Sequence, residues 1–281
     1  MGEKWREVYT EEQIKKIQRI EVNSLKVLDE ACNKLGICYF VYGGTLIGAV
    51  RHKGFIPWDD DLDVAMPRND YMRFVYEAAK ILPEEYYLQT PYTDKKTPFP
   101  YSKLRLKGTE YIEYINHRID IEKGIYIDIY PIDNIPDSDS EYIKMHKEYA
   151  KIAKRYVLRQ CPYPSSQGKG ITRKIKNIAR FVLSHIMKVI PQKYFIGKID
   201  GIMTRYNHVQ TERKGNLFYP RPANVFYNLF PLQDGVFEGM PVKLPGDWDR
   251  HLRLRYGNYM EFPPEEERIG HIPYILDFGK Y

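Results

Sequence analysis

A chain of 281 residues with 43% hydrophobic and 28% charged residues is long enough for one large domain, or for a core with a substantial appendage. Its three cysteines, Cys32, Cys38 and Cys161, form no CxxC pair and no even set, which argues against a disulfide scaffold and a structural zinc cluster and points to a reducing compartment. The net charge of +6 is unevenly spread: residues 141–214 carry 17 Lys and Arg against four acids, so the remainder is net acidic.

The elements follow in chain order. Residues 11–36 read as a helix, with Thr10 and Gln13 spaced as a capping box, Ile14, Ile17, Val22, Leu25 and Leu28 at helical spacing, and Gly36 as its stop. Ile37–Tyr42 is a short apolar run suited to a buried strand; Gly43-Gly44 turns the chain, and Thr45 caps a short helix to about Val50. Residues 51–58 form a loop and 61–65 a second strand, with Leu62 and Val64 on one face and Asp61 and Asp63 on the other. A helix over 69–82 stops at Pro83, and strands are expected at 86–89, 101–106, 110–115 and 124–130, the last ended by Pro131. Basic helices occupy 139–160, 171–190 and 193–210, separated by Pro162, Pro164, Gly168, Gly170 and Pro191. A hairpin turns at Glu238-Gly239, a short helix spans 247–256, and the tail is aromatic and loop-rich. The amino terminus lacks an apolar signal-type core, Arg6 stands where a myristoylation motif wants Ser or Thr, and no run approaches the ~20 apolar residues of a membrane span, so a cytoplasmic protein is expected.

Four aspartates, Asp59, Asp60, Asp61 and Asp63, fall within five residues downstream of the glycine turn. Carboxylates at alternate strand positions repel unless a cation lies between them, so Asp61 and Asp63 are candidate ligands of a divalent ion. An EF-hand is rejected, because its sixth position would be Val64 and its twelfth Asp70. Asp59 and Asp60 either bind substrate or cap the turn. Asp128 stands mid-strand, placed to complete a three-carboxylate cluster; the alternative is a polar residue on an exposed face. Asp133, after a proline, reads as a turn residue. A double glycine alone is usually just a turn, but Gly43, Gly44 and Thr45 would open a helix whose free amides suit phosphate. Arg51, His52 and Lys53 lie beside the acids, and Lys103 and Arg105 alternate on another strand; each set either neutralises phosphate charge or is surface charge. A Walker A loop, a GxGxxG, a GxSxG and an HExxH are all absent. The 141–214 segment suits an anionic partner, and its basic faces with Ile, Phe and Leu between them suit peripheral contact with an anionic membrane; solvated helix faces are the competing reading.

The run Tyr42-Gly43-Gly44-Thr45-Leu46-Ile47-Gly48-Ala49-Val50-Arg51-His52-Lys53-Gly54-Phe55-Ile56-Pro57-Trp58-Asp59-Asp60-Asp61-Leu62-Asp63-Val64 resembles the signature of the LicD family, bacterial phosphocholine transferases related to the fukutin group. Arg68-Asn69-Asp70-Tyr71, Gly124 to Asp133, Leu254-Arg255-Tyr256-Gly257 and Pro263-Pro264 with Arg268 and His271 extend the resemblance over about residues 20–135 and 230–271. It implies an α+β, nucleotidyltransferase-like fold of the DNA polymerase beta type, a mixed sheet core with added helices. The expected division is a catalytic core over 1–135, a basic helical region over 136–215, and a hairpin, short helix and tail packing on the core over 216–281. The resemblance further implies a CDP-linked donor such as CDP-choline, a glycan or lipid-linked oligosaccharide acceptor, release of CMP, and no nucleic-acid partner. In this reading Asp61, Asp63 and Asp128 hold Mg²⁺, with Mn²⁺ as the substitute. Gly43, Gly44, Thr45, Asp60, Arg51, His52, Lys103, Arg105, Arg268 and His271 contact substrate. The work would be done in the cytoplasm or at the inner face of its membrane. The competing classes are a nucleotidyltransferase that releases pyrophosphate and a non-catalytic glycan-binding protein.

Overall fold

The computed structural model describes residues 9–163, 171–220, 224–268, 270, 271 and 273–281; the expected breakers Pro164, Gly168 and Gly170 lie outside them. Helix α1 (Glu11–Leu35) begins with the capping box: the Gln13 amide donates to Thr10 Oγ1 at 3.1 Å and the Thr10 amide to Gln13 Oε1 at 2.9 Å. Its Ile14, Ile17, Leu25 and Leu28 are buried, each such burial stabilising by roughly 1.5–3 kcal/mol. Gly36, at φ 60°, takes the left-handed conformation that ends the helix.

Strand β1 is paired only at Phe40–Val41, shorter than the run 37–42, because Tyr42 already serves as the N-cap of α2 (Gly43–Arg51). Thr45 therefore lies inside the first turn and does not cap it. Strand β2 (Asp63–Pro67) starts two residues later than expected: β1 is so short that its register reaches back only to Val64, and Asp61 is left in the lead-in. β2 is followed at once by α3 (Arg68–Glu77) and a 3₁₀ turn at Ala78–Lys80.

Strands β3 (Tyr86–Gln89), β4 (Ser102–Leu106) and β6 (Tyr126–Ile135) complete a mixed sheet ordered β1-β2-β6-β4-β3, in which β2 and β6 run parallel and the other pairs antiparallel. β6 continues through Pro131, contrary to expectation. On one side of β6 the β4 register ends at Ile129 and that of β7 (Arg213–Gly215) starts at Asp133, so Pro131 falls in the gap where a missing N–H costs least. β8 (Val225–Phe226) pairs β7. The tail returns as a strand that sequence reading missed, β11 (Ile275–Asp277), paired with β5 (Glu110–Ile112). The hairpin of β9 (Gln233–Phe237) and β10 (Met240–Leu244) turns at Glu238 and Gly239, with φ 50° and 75°, as the twist of a two-residue turn requires.

One core lies between α1, α2, α3 and the sheet, around Leu25, Leu46, Val64, Phe74, Ile127 and Ile129. A second joins α4 (Asp139–Gln160) to α6 (Gln192–Met203) through Tyr142, Met145, Tyr156, Phe195 and Ile199. α5 (Ile171–Met187) lies against α4. α6 ends well before residue 210, and the chain beyond it is held by Asn207, whose Oδ1 accepts the Asn134 amide at 2.8 Å. α7 (Trp248–Tyr256) packs on β8 through buried His251, stacked on Phe226 at 4.1 Å. Among the described residues no helix is long and apolar enough to cross a membrane.

Candidate active site

The parallel pairing of β2 with β6 sets Asp63 directly opposite Asp128. Neighbouring strands put such partners about 5 Å apart at their Cα atoms. The first helical bond of α2 joins the Leu46 amide to the Tyr42 carbonyl, so the amides of Gly43, Gly44 and Thr45 precede its internal bonding. A side chain at either glycine would displace an acid: a Cβ on Gly43 (φ 60°) would stand 2.4 Å from Asp63 Oδ2, and one on Gly44 2.7 Å from Asp59 Oδ2. Two carboxylates thus rest directly on the opening of the helix. Thr45 is buried, and its Oγ1 accepts the Asp63 amide at 2.8 Å, tying the helix to the strand.

Burial first, and then the neighbouring acids, drives the carboxyls upward. Asp59 and Asp63 are held well above the usual carboxylate range, each next by Asp61; Asp61 is raised by burial despite the opposing charge of His271. Glu21, reaching in from α1, is raised well above its range by burial and then by Asp61. Asp63 Oδ1 is buried without a hydrogen-bond partner. A cluster of this kind is destabilised by its own charge and stabilised by a cation.

Among the described residues no group of three or more His, Cys, Asp or Glu side chains is arranged to hold a metal ion by itself. Mg²⁺ does not need one: it is commonly held by one or two carboxylates, with phosphate oxygens and water filling the octahedron. The orphaned Asp63 Oδ1 and the adjacent, partly exposed Asp61 fit that pattern. Asp128 is committed elsewhere, with Oδ1 2.5 Å from Lys103 Nζ and Oδ2 accepting from Tyr130 Oη at 3.1 Å. It is buried, not the exposed strand-face residue of the alternative reading.

The other expected contacts divide. Lys103 reaches the acids, but as a buried partner of Asp128 with its ammonium 3.5 Å from the Tyr126 ring centroid. Arg105 is buried with its guanidinium committed elsewhere, donating to Gln89 Oε1 and the Gly124 carbonyl, both at 2.8 Å. Asp60 is turned inward, accepting from Tyr9 Oη (2.5 Å), Tyr111 Oη (2.9 Å) and the His271 amide (2.8 Å); it anchors the tail. His271 Nδ1 lies 3.4 Å from Asp60 and 3.5 Å from Asp61, and its pKa is raised by the hydrogen bond with Asp60 and the charge of Asp61. Arg51, His52 and Arg268 gather instead around Phe262. Arg51 donates to the Tyr259 carbonyl at 2.5 Å and lies 4.7 Å from the Phe262 ring, His52 stacks on that ring, and Arg268 sits over Trp58 at 4.9 Å. The loop cations clasp the tail, which in sequence reads only as aromatic and loop-rich.

Two residues were missed as site members. Arg255, on α7, donates to Tyr219 Oη at 2.7 Å, packs 5.6 Å from the Tyr42 ring, and lies within electrostatic reach of Asp63. Only its place in a motif matching the family marked it. Glu21 gave no signal, being one acid on a long amphipathic helix. Asp133 was misread as a turn residue: it lies in β6, buried, with its carboxylate 2.8 and 2.5 Å from the Arg68 guanidinium.

Residues 36–167 match the family model described as LicD/FKTN/FKRP, nucleotidyltransferase domain. The lipopolysaccharide cholinephosphotransferase LicD of Haemophilus influenzae is 28% identical over 258 residues, 90% of this chain and 94% of that protein. An uncharacterized protein of Rickettsia typhi is 43% identical over 60 residues, and one of Rickettsia prowazekii is 48% identical over 46, covering 18% and 17% of those proteins. Model and relative converge on the stretch that builds the acidic site, and over it the chain is similar to the LicD family.

Proposed function

We propose that this protein is a LicD-type transferase that moves a substituted phosphate, phosphocholine or a close analogue, from a CDP-linked donor to a hydroxyl of a cell-surface glycan and releases CMP. The observation that carries the reading is the contact between the helix opening and the acids: Gly43 and Gly44 admit Asp63 and Asp59 at the free amides of α2, opposite Asp128. Amides and carboxylates meeting at one place suit a phosphate that arrives with its own cation. The Haemophilus relative, named for transfer of phosphocholine in lipopolysaccharide, supports the group and the class of acceptor. The family model's description supports assigning the mixed sheet to the nucleotidyltransferase type.

Asp61 and Asp63 would hold Mg²⁺, which when bound neutralises charge on the diphosphate. The amides of Gly43 and Gly44 face a phosphate oxygen at the positive end of α2. The acceptor oxygen forms a bond to the phosphorus bearing the head group as the bond to the CMP oxygen breaks. The acceptor proton passes to a carboxylate of the cluster, and Asp128 is the one fixed from both sides, by Lys103 and Tyr130. Arg255 offers positive charge beside Asp63.

The test is CMP release and label transfer from choline-labelled CDP-choline to a deacylated glycan acceptor, with Mg²⁺ or with chelator, for the native chain and for Asp61→Asn and Asp63→Asn. Transfer that needs the ion and both aspartates is expected. Transfer of a nucleotide with pyrophosphate release would replace the reading by nucleotidyl transfer, and full activity of both variants would end it.

A further inference from the structure

Helix α5 is built inside out. Ile171, Ile175, Ile178, Val182 and Ile186 recur at helical spacing on one face, each at least half exposed and Ile171 76% exposed. Val189 continues the stripe past the helix end. The opposite side is the one that packs, with Met187 against the core of α4 and α6: Ser184 is fully buried and its Oγ donates to the Arg159 carbonyl at 3.3 Å, and Arg180 Nε donates to the Cys161 carbonyl at 3.2 Å. A surface helix of a globular protein normally does the reverse. The neighbouring basic helices do so, α4 burying Tyr142, Met145 and Tyr149 and α6 burying Phe195, Ile196 and Ile199. The exposed stripe therefore belongs to α5 and is not a general property of the basic region.

The charge around the stripe says what it meets. Lys174 and Lys176 are exposed along the helix. Beside its carboxyl-terminal half, a cavity of about 540 Å³ is lined by Phe181 together with Lys95, Lys96, Arg118, Arg159 and Lys188, with Asp120 as the acid among its lining residues. Lys96 is paired with Asp120, whereas Lys95 and Lys188 have no acidic partner among the described residues. Apolar surface rimmed by cations, next to a basic cavity, matches acyl chains below a layer of phosphates.

We propose that α5 lies in the interface of an anionic lipid bilayer, its Ile171–Ile186 stripe among the acyl chains and the adjoining basic cavity against lipid phosphates. The inference is independent of the reading of the acidic site. It is tested by cosedimentation of the full chain with vesicles of phosphatidylcholine, alone or mixed with phosphatidylglycerol, at low and high salt. The native protein is expected to bind the mixed vesicles and to be weakened by salt. Ile178→Asp with Val182→Asp should lower partitioning about tenfold or more, and Lys95→Glu with Lys188→Glu should remove the preference for the anionic lipid. All four positions are outside the acidic site, so turnover of a soluble acceptor should be unchanged in both variants. Val182→Trp supplies a reading free of any folding defect: its emission should shift to the blue when mixed vesicles are added. Absence of binding at low salt overturns the proposal, as does binding indifferent to both double variants. So does a native dimer that Ile178→Asp with Val182→Asp converts to monomer, since a second copy would then be the occupant.

Discussion

Gly43 and Gly36 share a φ of 60° and differ in what surrounds them. An alanine at either position takes on the left-handed penalty of about 1–2 kcal/mol. At Gly36 the new methyl meets nothing within 4 Å; at Gly43 it meets Asp63 Oδ2 at 2.4 Å. Restoring ordinary contact requires the carboxylate to withdraw by about 1 Å, a displacement that in an active site costs on the order of 100-fold in rate. Gly36→Ala and Gly43→Ala should therefore lose comparable stability, a few degrees of melting temperature for a chain of this size, measured by circular dichroism. Gly43→Ala alone should lose about 100-fold in turnover, measured as CMP release from the CDP-linked donor. Near-equal activity of the two variants would refute the idea that the glycine exists to admit Asp63. Equal loss in both would show that the backbone, not the carboxylate, sets the rate.

Three further outcomes are expected. Mg²⁺ should raise the melting temperature of the chelator-treated protein, by about 2.7 kcal/mol of stabilisation at a hundredfold excess over its dissociation constant, and Asp63→Asn should abolish the rise; a retained rise would place the ion elsewhere. Burial holds the His251 imidazole at about 4, below the 6.5 of an unfolded chain. The unfolded state then binds the proton first, so the stability this ring contributes is present above pH 6.5 and is lost as pH falls towards 4. The loss is on the order of 3 kcal/mol. Denaturant titrations between those values should show the slope, and His251→Gln should flatten it. Replacing Arg68 by Met leaves the buried Asp133 carboxylate without its guanidinium and should cost about 3–5 kcal/mol, while adding Asp133→Leu should recover much of it; an additive double variant would deny the coupling.

Much of the molecule is written in local pattern. The capping box at Thr10, the helical spacing of Ile14 to Leu28, the Glu238-Gly239 turn and the first basic helix are set by local residues, and the structure has them within a few positions of where spacing places them, whereas α6 stops at Met203, well short of 210. The shifts occur where distant chain intervenes. β2 begins at Asp63 because β1 is two residues long, and β6 passes Pro131 because two separate strands leave a gap there.

The acidic run and the paired glycines, and with them the resemblance to the LicD family, were legible from 23 consecutive residues, because the chemistry of carboxylates and free amides is carried by residue type. Which cation served which role was not. Arg51, His52 and Arg268 look like phosphate clamps beside an acidic loop, yet they close on Phe262; Arg105 looks exposed on a strand and is buried; Asp60 sits among ligand candidates and faces Tyr9 and Tyr111. Direction is a property of packing: a one-residue change of strand start or a tail that folds back turns a side chain from solvent to core. Residue identity thus declares what the site is made of, and long-range contacts, through burial and register, decide which of those groups face it.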